Sequence, residues 1–357
     1  MPIEVLPAGA RPVSMPVRAG FRRPSQISLV HILSGRWKLG LGLAVFTALA
    51  WGLLPIALAI TLPAVDAITI TWFRFLVASL GLGVILAAMG RLPKLRAIDG
   101  RGWLVLLIAL AGLVGNFVLY VIALAYASPT VNQVVTQLSP ILLMLGGIAL
   151  FHEHFNTRRW LGFMLLLVGL PLFFNRRLPE LMHLDSGLGH GVALLVLASV
   201  VWSVYGLAQK YLLRRMQGQQ VLLLLYVGSM LLLSPFAHPA HILKVNALQA
   251  WMLAFACVNT VVAYGAFAEA LRHWEASRVG ATLTLTPLFT MAAMWILEHA
   301  VPGLVKAEQL NLLSVAGALI VVGGSMLCAL GNASVPTAVV AKGVVEPVVG
   351  SPQSPGG

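Results

Sequence analysis

The chain has 357 residues, of which 59% are hydrophobic and only 10% charged. A soluble domain carries roughly 25% charged residues, so a water-soluble globule of this length is excluded and lipid is the expected solvent. The net charge of +12 does not point to nucleic acid, because the basic residues sit in the tails and in short gaps between long apolar runs.

Residues 1–38 mix Pro, Gly, Ser and Arg. They read as a basic cytoplasmic tail, without a cleavable signal peptide. Ten apolar runs follow, each near the roughly 20 residues that a helix needs to cross the hydrocarbon. In the first half they are 39–61, 67–89, 103–126, 131–151 and 160–175. In the second half they are 191–212, 220–237, 248–271, 278–296 and 311–331. The runs lack the alternating polarity of barrel strands. Backbone groups in lipid must be satisfied within each segment, so the runs are expected to be helices. Residues 176–190 read as an outer linker between the halves, and 332–357 as a disordered C-terminal tail.

Lys and Arg set the orientation. With the N-terminus inside, the alternation leaves only Arg176, Arg177, Lys244 and Lys306 in outer segments. The other basic residues fall inside, except Arg74 within a span. Ten spans with both termini cytoplasmic is the expectation.

The two halves repeat each other. Ala123-Leu124, Gln137-Leu138-Ser139-Pro140 and Glu153 in the first half match Ala270-Leu271, Thr284-Leu285-Thr286-Pro287 and Glu298 in the second. Glycine pairs with the same spacing follow, Gly162 and Gly169, then Gly317 and Gly324. Five spans per copy is an odd number, so the second copy would enter the membrane from the opposite side. The expected fold is therefore all-α and integral to the membrane, with ten helices as two inverted five-helix repeats, 39–175 and 191–331.

With Trp51-Gly52 in the first span and Arg74-Phe75 in the second, this doubled pattern resembles the EamA-like branch of the drug/metabolite transporter superfamily. The resemblance covers roughly residues 39–331. It implies a multi-pass bacterial inner-membrane protein with cytoplasmic termini and a central cavity. It also implies a secondary transporter, mostly an exporter, of amino acids, metabolites or drugs.

Polar residues at membrane depth are the candidate solute contacts. In the fourth span Asn132 and Thr136, and likewise Gln133 and Gln137, are four apart and share a helical face. They suit either the wall of a solute cavity or hydrogen-bond glue between helices. Pro140 frees the carbonyl of Thr136, and Pro287 takes the same place in the second copy, so both are candidate hinges. Trp51 and Trp202 lie mid-span, away from the interfacial belt, and Tyr205 follows on the sixth. Asn116 and Tyr120 share a face of the third span. Asn259 and Tyr264 lie deep in the eighth.

Arg74 and Glu269 are possible coupling or structural charges. Arg74 can snorkel or hold a carboxylate. Glu269 can pair locally with Arg272 and His273 or carry a proton.

No enzyme motif, cofactor site or metal site is expected. There is no phosphate-binding loop, and His152-Glu153-His154 lacks the spacing of a helical zinc site. Cys257 and Cys328 lie inside apolar runs and offer no disulfide framework. The expected partners are a small-molecule solute and membrane lipid, with oligomeric state open. Two alternatives stand beside a transporter. One is a lipid-linked sugar flippase of the same superfamily. The other is a membrane enzyme acting on lipid, using outer-face histidines such as His183, His190, His238, His241 and His299.

Overall fold

The computed structural model describes residues 36–151, 156–183, 185–305 and 310–330. These residues form α-helices joined by turns, two short 3₁₀ segments and no strand. In chain order the helices of the first half are α1 (Trp37–Thr61), α2 (Ala67–Ala88), α3 (Gly100–Ala123), α4 (Pro129–Val135), α5 (Leu138–Phe151) and α6 (Thr157–Phe173). A short α7 (Leu178–Met182) lies between the halves. Then come α8 (Gly187–Leu212), α9 (Gly218–Leu233), α10 (Ala247–His273), α11 (Ala276–Leu283), α12 (Thr286–Ala300) and α13 (Leu312–Leu330).

Polar residues in the gaps start these helices. Asp66, Asp99, Ser128, Asn156 and Ser186 each accept the backbone N–H three residues on. Asn246 and Gln249 close a reciprocal capping box at α10. Such caps satisfy N–H groups that the first helical turn leaves open.

Eight segments are long and apolar enough to cross a membrane, with α4–α5 and α11–α12 each counted as one. The fifth and seventh runs give shorter helices, α6 of 17 residues and α9 of 16. At 1.5 Å per residue these reach about 24–26 Å, short of a hydrocarbon core of roughly 30 Å. Large side chains such as Leu80, Val84, Leu107, Val168, Trp251 and Trp295 are exposed on the outside of the bundle. That surface suits lipid.

The main helix pairs each join the two halves: α6 with α13, α3 with α8, α1 with α10, and α2 with α9. Glycine permits the closest approach. A Cβ on Gly162 would lie 2.5 Å from the Gly324 carbonyl oxygen, and one on Gly324 would lie 2.6 Å from that of Gly162. A Cβ on Gly169 would lie 2.9 Å from the Gly317 oxygen, and one on Gly317 would meet the Phe173 nitrogen and Gly169 oxygen. The α6–α13 pair is therefore packed backbone to backbone, the geometry that small residues allow in membranes. Because Gly162 meets Gly324 while Gly169 meets Gly317, these two helices run antiparallel. Asn175 and Asn311 join them at one end through reciprocal amide bonds of 3.2 and 2.8 Å.

The fourth and ninth runs differ from the single spans expected. Each is broken, at Thr136–Gln137 and at Thr284–Leu285. Both breaks fall just ahead of the repeated Pro140 and Pro287, which supply no N–H to the turn behind them.

Candidate solute site at the broken helices

The site is built around three successive carbonyls of α1. Pro55 lies inside that helix and has no N–H, so the carbonyl four residues back, that of Trp51, lacks its intrahelical donor. Gln133 Nε2 on α4 donates to that oxygen at 2.9 Å. Asn259 Nδ2 on α10 donates to the Ala50 oxygen at 2.9 Å. Thr290 Oγ1 on α12 donates to the Gly52 oxygen at 2.7 Å. Gly52 lets α12 come this close: a Cβ there would lie 2.9 Å from Phe289 Cβ and 3.1 Å from the Thr286 oxygen. One stretch of α1 is thus held by side chains from three other helices.

The breaks beside it are closed by hydroxyls. At the first, Thr136 Oγ1 donates to the Asn132 oxygen at 2.9 Å, and the Ser139 N–H donates to the Thr136 oxygen at 3.0 Å. The carbonyl that Pro140 leaves open is thereby satisfied. At the second, the Leu283 oxygen stands four residues behind Pro287 and accepts Thr286 Oγ1 at 2.5 Å. Thr284 Oγ1 donates to the Ala281 oxygen at 2.7 Å, and Thr282 Oγ1 to the Arg278 oxygen at 2.9 Å.

The candidate residues fall into groups. Trp51 meets Tyr264 at 5.1 Å between ring centres and Phe267 at 5.8 Å, joining α1 to α10. Trp202 and Tyr205 pair edge to face on α8 at 6.5 Å. Asn116 Nδ2 donates to the Ala198 oxygen of α8 at 3.0 Å. Asn132 Nδ2 donates to the Tyr120 oxygen of α3 at 3.0 Å. The amide nitrogens of Asn116, Asn132, Gln133 and Asn259 therefore all tie helices together. The side-chain amide of Gln137, at 8% exposure, makes no hydrogen bond among the described residues. Asn132 Oδ1, Asn259 Oδ1 and the Tyr226 hydroxyl are fully buried without a partner among the described residues. A buried polar atom left this way is costly unless something else completes it.

Arg74 is buried on α2, and Glu269 lies toward the end of α10, paired with Arg272 at 2.9 Å and His273 at 3.0 Å. Among the described residues no group of His, Cys, Asp and Glu is arranged to hold a metal. His152, Glu153 and His154, residues 1–35 and 332–357 of the tails and the C-terminal Gly331 of the last run lie outside the described residues, whereas Trp37 and Lys38, read as tail, already belong to α1.

Several contributors were not singled out from sequence. Thr290 has no local signal, because its partner Gly52 is 238 residues away. The Trp51 carbonyl did have one, since Pro55 stands four residues after it. Tyr226 is hidden among apolar neighbours.

Polar contacts also join helix ends outside the apolar zone. Asp66 accepts Thr69 Oγ1 at 2.7 Å and approaches His241 Nδ1 at 3.2 Å. Partial burial works to raise its carboxyl, but the Thr69 N–H and hydroxyl and His241 more than offset this, and the group lies below its ordinary range. Asp99 meets Arg215 at 2.6 Å between the loops that precede α3 and α9.

The fold and the polar interior define a class, an all-α protein of the membrane. The EamA-like transporter family profile matches residues 38–175 and again 189–330, and the chain belongs to that family. It is 43% identical over 295 residues to the uncharacterized inner membrane transporter YhbE of Escherichia coli, an alignment covering 82% of this chain and 92% of that protein. It is 37% identical over 298 residues to an uncharacterized transporter of Haemophilus influenzae, covering 84% and 97% respectively. A solved crystal structure superposes with a TM-score of 0.55 at 19% identity, covering 81% of this chain and 96% of that one. At that identity the likeness is one of fold alone.

Proposed function

We propose that the chain is a secondary transporter of the bacterial inner membrane. It would export a small organic metabolite or amino acid by alternating access between two inverted five-helix repeats, 39–175 and 191–331. The observation that carries this is the irregular backbone at mid-bundle. Two helices broken at matching Pro positions stand beside an α1 turn whose carbonyls are held from other helices. Broken helices at membrane depth are tolerated where they are buried in protein or line a cavity, and in transporters they form the solute site.

The inverted relation has support from reciprocal contacts. Gly40 of α1 packs on Trp274 after α10, while Gly191 of α8 packs on Ala127 after α3. Gly52 of α1 abuts the Thr286 oxygen, while Ser203 of α8 donates to the Ser139 oxygen at 3.3 Å. Each contact becomes its partner when the halves are exchanged. The antiparallel α6–α13 pair matches itself under the same exchange, as a two-fold axis across the helices requires. The inner-membrane assignment rests on the YhbE name.

Gln137 is the leading solute contact, because its amide is not committed to another helix. Gln137→Leu in proteoliposomes is expected to lower transport at least about tenfold, the loss of one or two hydrogen bonds to the solute, with thermal stability unchanged. A variant that transports like wild type would remove Gln137 from the site. Absence of transport by the wild-type protein, across organic solutes and with or without a pH gradient, would overturn the transporter itself.

A further inference from the structure

Arg74 lies about 10 Å along α2 from its start, at 1.5 Å per residue. It is 3% exposed, so its guanidinium does not snorkel to water. Nε donates to Thr260 Oγ1 of α10 at 3.1 Å, and the guanidinium carbon stands 4.5 Å from the centre of the Phe117 ring of α3. Thr260 can accept there because its own hydroxyl proton goes to the Ala256 oxygen at 2.9 Å. None of the described carboxylates forms an ion pair with Arg74: Asp66, Asp99, Glu180, Glu269 and Glu275 are engaged at helix ends, and neither Asp185 nor Glu298 bonds to it. The two terminal nitrogens therefore keep their N–H groups uncommitted among the described residues.

A buried cation at membrane depth without a counter-ion is costly, and such residues mark ligand paths. A second, independent feature lies beside this one. The Tyr226 hydroxyl of α9, on a side chain 3% exposed, has no partner, and its ring reaches the Phe117 ring under Arg74 through Phe75, at 5.9 and 4.8 Å between centres. Tyr264, one turn along α10 from Thr260, packs its ring on Trp51 at 5.1 Å. Thr260, which accepts from Arg74, follows Asn259, which donates to the Ala50 oxygen, so the cation adjoins the α1 site through α10.

We propose that Arg74 is the anion-binding residue of the solute site, and that the transported solute is an organic acid whose carboxylate accepts from the Arg74 fork and the Tyr226 hydroxyl. This rests on the transporter function proposed above. A planar fork with free N–H pairs matches a carboxylate in bidentate geometry. A single cation, with no second basic group in contact with it among the described residues, balances one negative charge, which favours a carboxylate over a phosphate dianion. The Phe117 and Tyr264 rings offer an apolar wall for the rest of the molecule.

The test uses full-length protein in nanodiscs and measures binding of pyruvate, benzoate, hydrocinnamate and the L-amino acids, each against its primary amide, with phenyl phosphate as a further probe. At least one acid is expected to bind about tenfold or more tightly than its amide, the worth of a charge-assisted hydrogen bond. Arg74→Gln abolishes that preference, Arg74→Lys retains part of it, and Tyr226→Phe weakens the acid severalfold while leaving the amide unchanged. Tyr226→Phe, a change of one buried hydroxyl, keeps the test open should Arg74→Gln fail to fold. The proposal is overturned if no acid binds better than its amide, if the preference survives in Arg74→Gln or is undiminished in Tyr226→Phe, or if phenyl phosphate binds more tightly than every carboxylate. Transport separates the two claims. An acid that binds but does not cross proteoliposomes sinks the transporter and leaves the anion site, whereas neutral solutes that cross without acid preference do the reverse.

Discussion

Gln133 and Gln137 are one helical turn apart, yet they do different work. Gln133 completes the carbonyl that Pro55 opens on α1, whereas Gln137 spends its side chain on no neighbour among the described residues. Gln133→Leu should therefore cost stability, ~1–3 kcal/mol for an acceptor left buried and unpaired, read as a lower unfolding temperature in detergent. Stability equal to wild type would mean that the Trp51 oxygen finds another donor. Asp66 gives a pH-dependent counterpart outside the membrane zone. Its folded carboxyl lies below the ordinary value of 3.8, so its contribution is complete above pH 3.8 and is lost as pH falls through the lower folded value. Asp66→Ala removes the cap and should cost ~1 kcal/mol at pH 7. Melting curves of variant and wild type should converge as pH drops below 3.8, and a difference that persists there would show that the loss is not one of charge. The shared face of Asn132, Gln133, Thr136 and Gln137 was legible from four-residue spacing. Which amide ties helices and which stays uncommitted was not, because their partners are distant in sequence, 82 residues away for Gln133.

At the scale of elements, lipid makes helices easy to read: each must be long and apolar, with polar caps in the gaps. The doubled Ser/Thr-Pro pattern also marked a disturbance in the fourth and ninth spans. That the disturbance is a full break was not legible, since apolar residues continue through it and hydroxyls of Thr136, Thr284 and Thr286 repair the backbone locally. The glycine pairs were visible as a repeat, and their role emerges only when α6 and α13 meet backbone to backbone. Gly317→Val would force a side chain into the Phe173 nitrogen and Gly169 oxygen. Overpacking of this kind typically costs ~1–3 kcal/mol. The same substitution at Gly42, where a Cβ meets nothing within 4 Å, should have little effect on thermal unfolding. Equal behaviour of the two variants would contradict the close α6–α13 contact.

At the scale of the whole molecule, the helix pairs cross between halves, so neither copy of the sequence repeat packs chiefly on itself. The inverted arrangement proposed above would give a physical reason. A helix related to its partner by an axis in the membrane plane meets it antiparallel, as Gly162 meets Gly324 and Gly169 meets Gly317. The fold then brings α1 and α8, the first helix of each copy, against the broken helices of the copies, with α1 on α12 and α8 on α5. The proposed inversion would place two differently charged loops on opposite faces. The gap after α2 holds Arg91, Lys94 and Arg96, whereas the gap after α9 holds His238, His241 and Lys244.

These two gaps follow the second helix of each copy, and they offer the most direct measurement. Leu92 and Leu243 are exposed in them, at 50% and 86%. Each is changed singly to Cys in a background carrying Cys257→Ala and Cys328→Ala, and labelled with a membrane-impermeant maleimide in intact cells and in inverted vesicles. The account predicts that Leu243→Cys reacts from outside in intact cells while Leu92→Cys reacts only in inverted vesicles. Reaction of both from the same side would contradict the inverted architecture, and with it a solute site shared between two opposed halves.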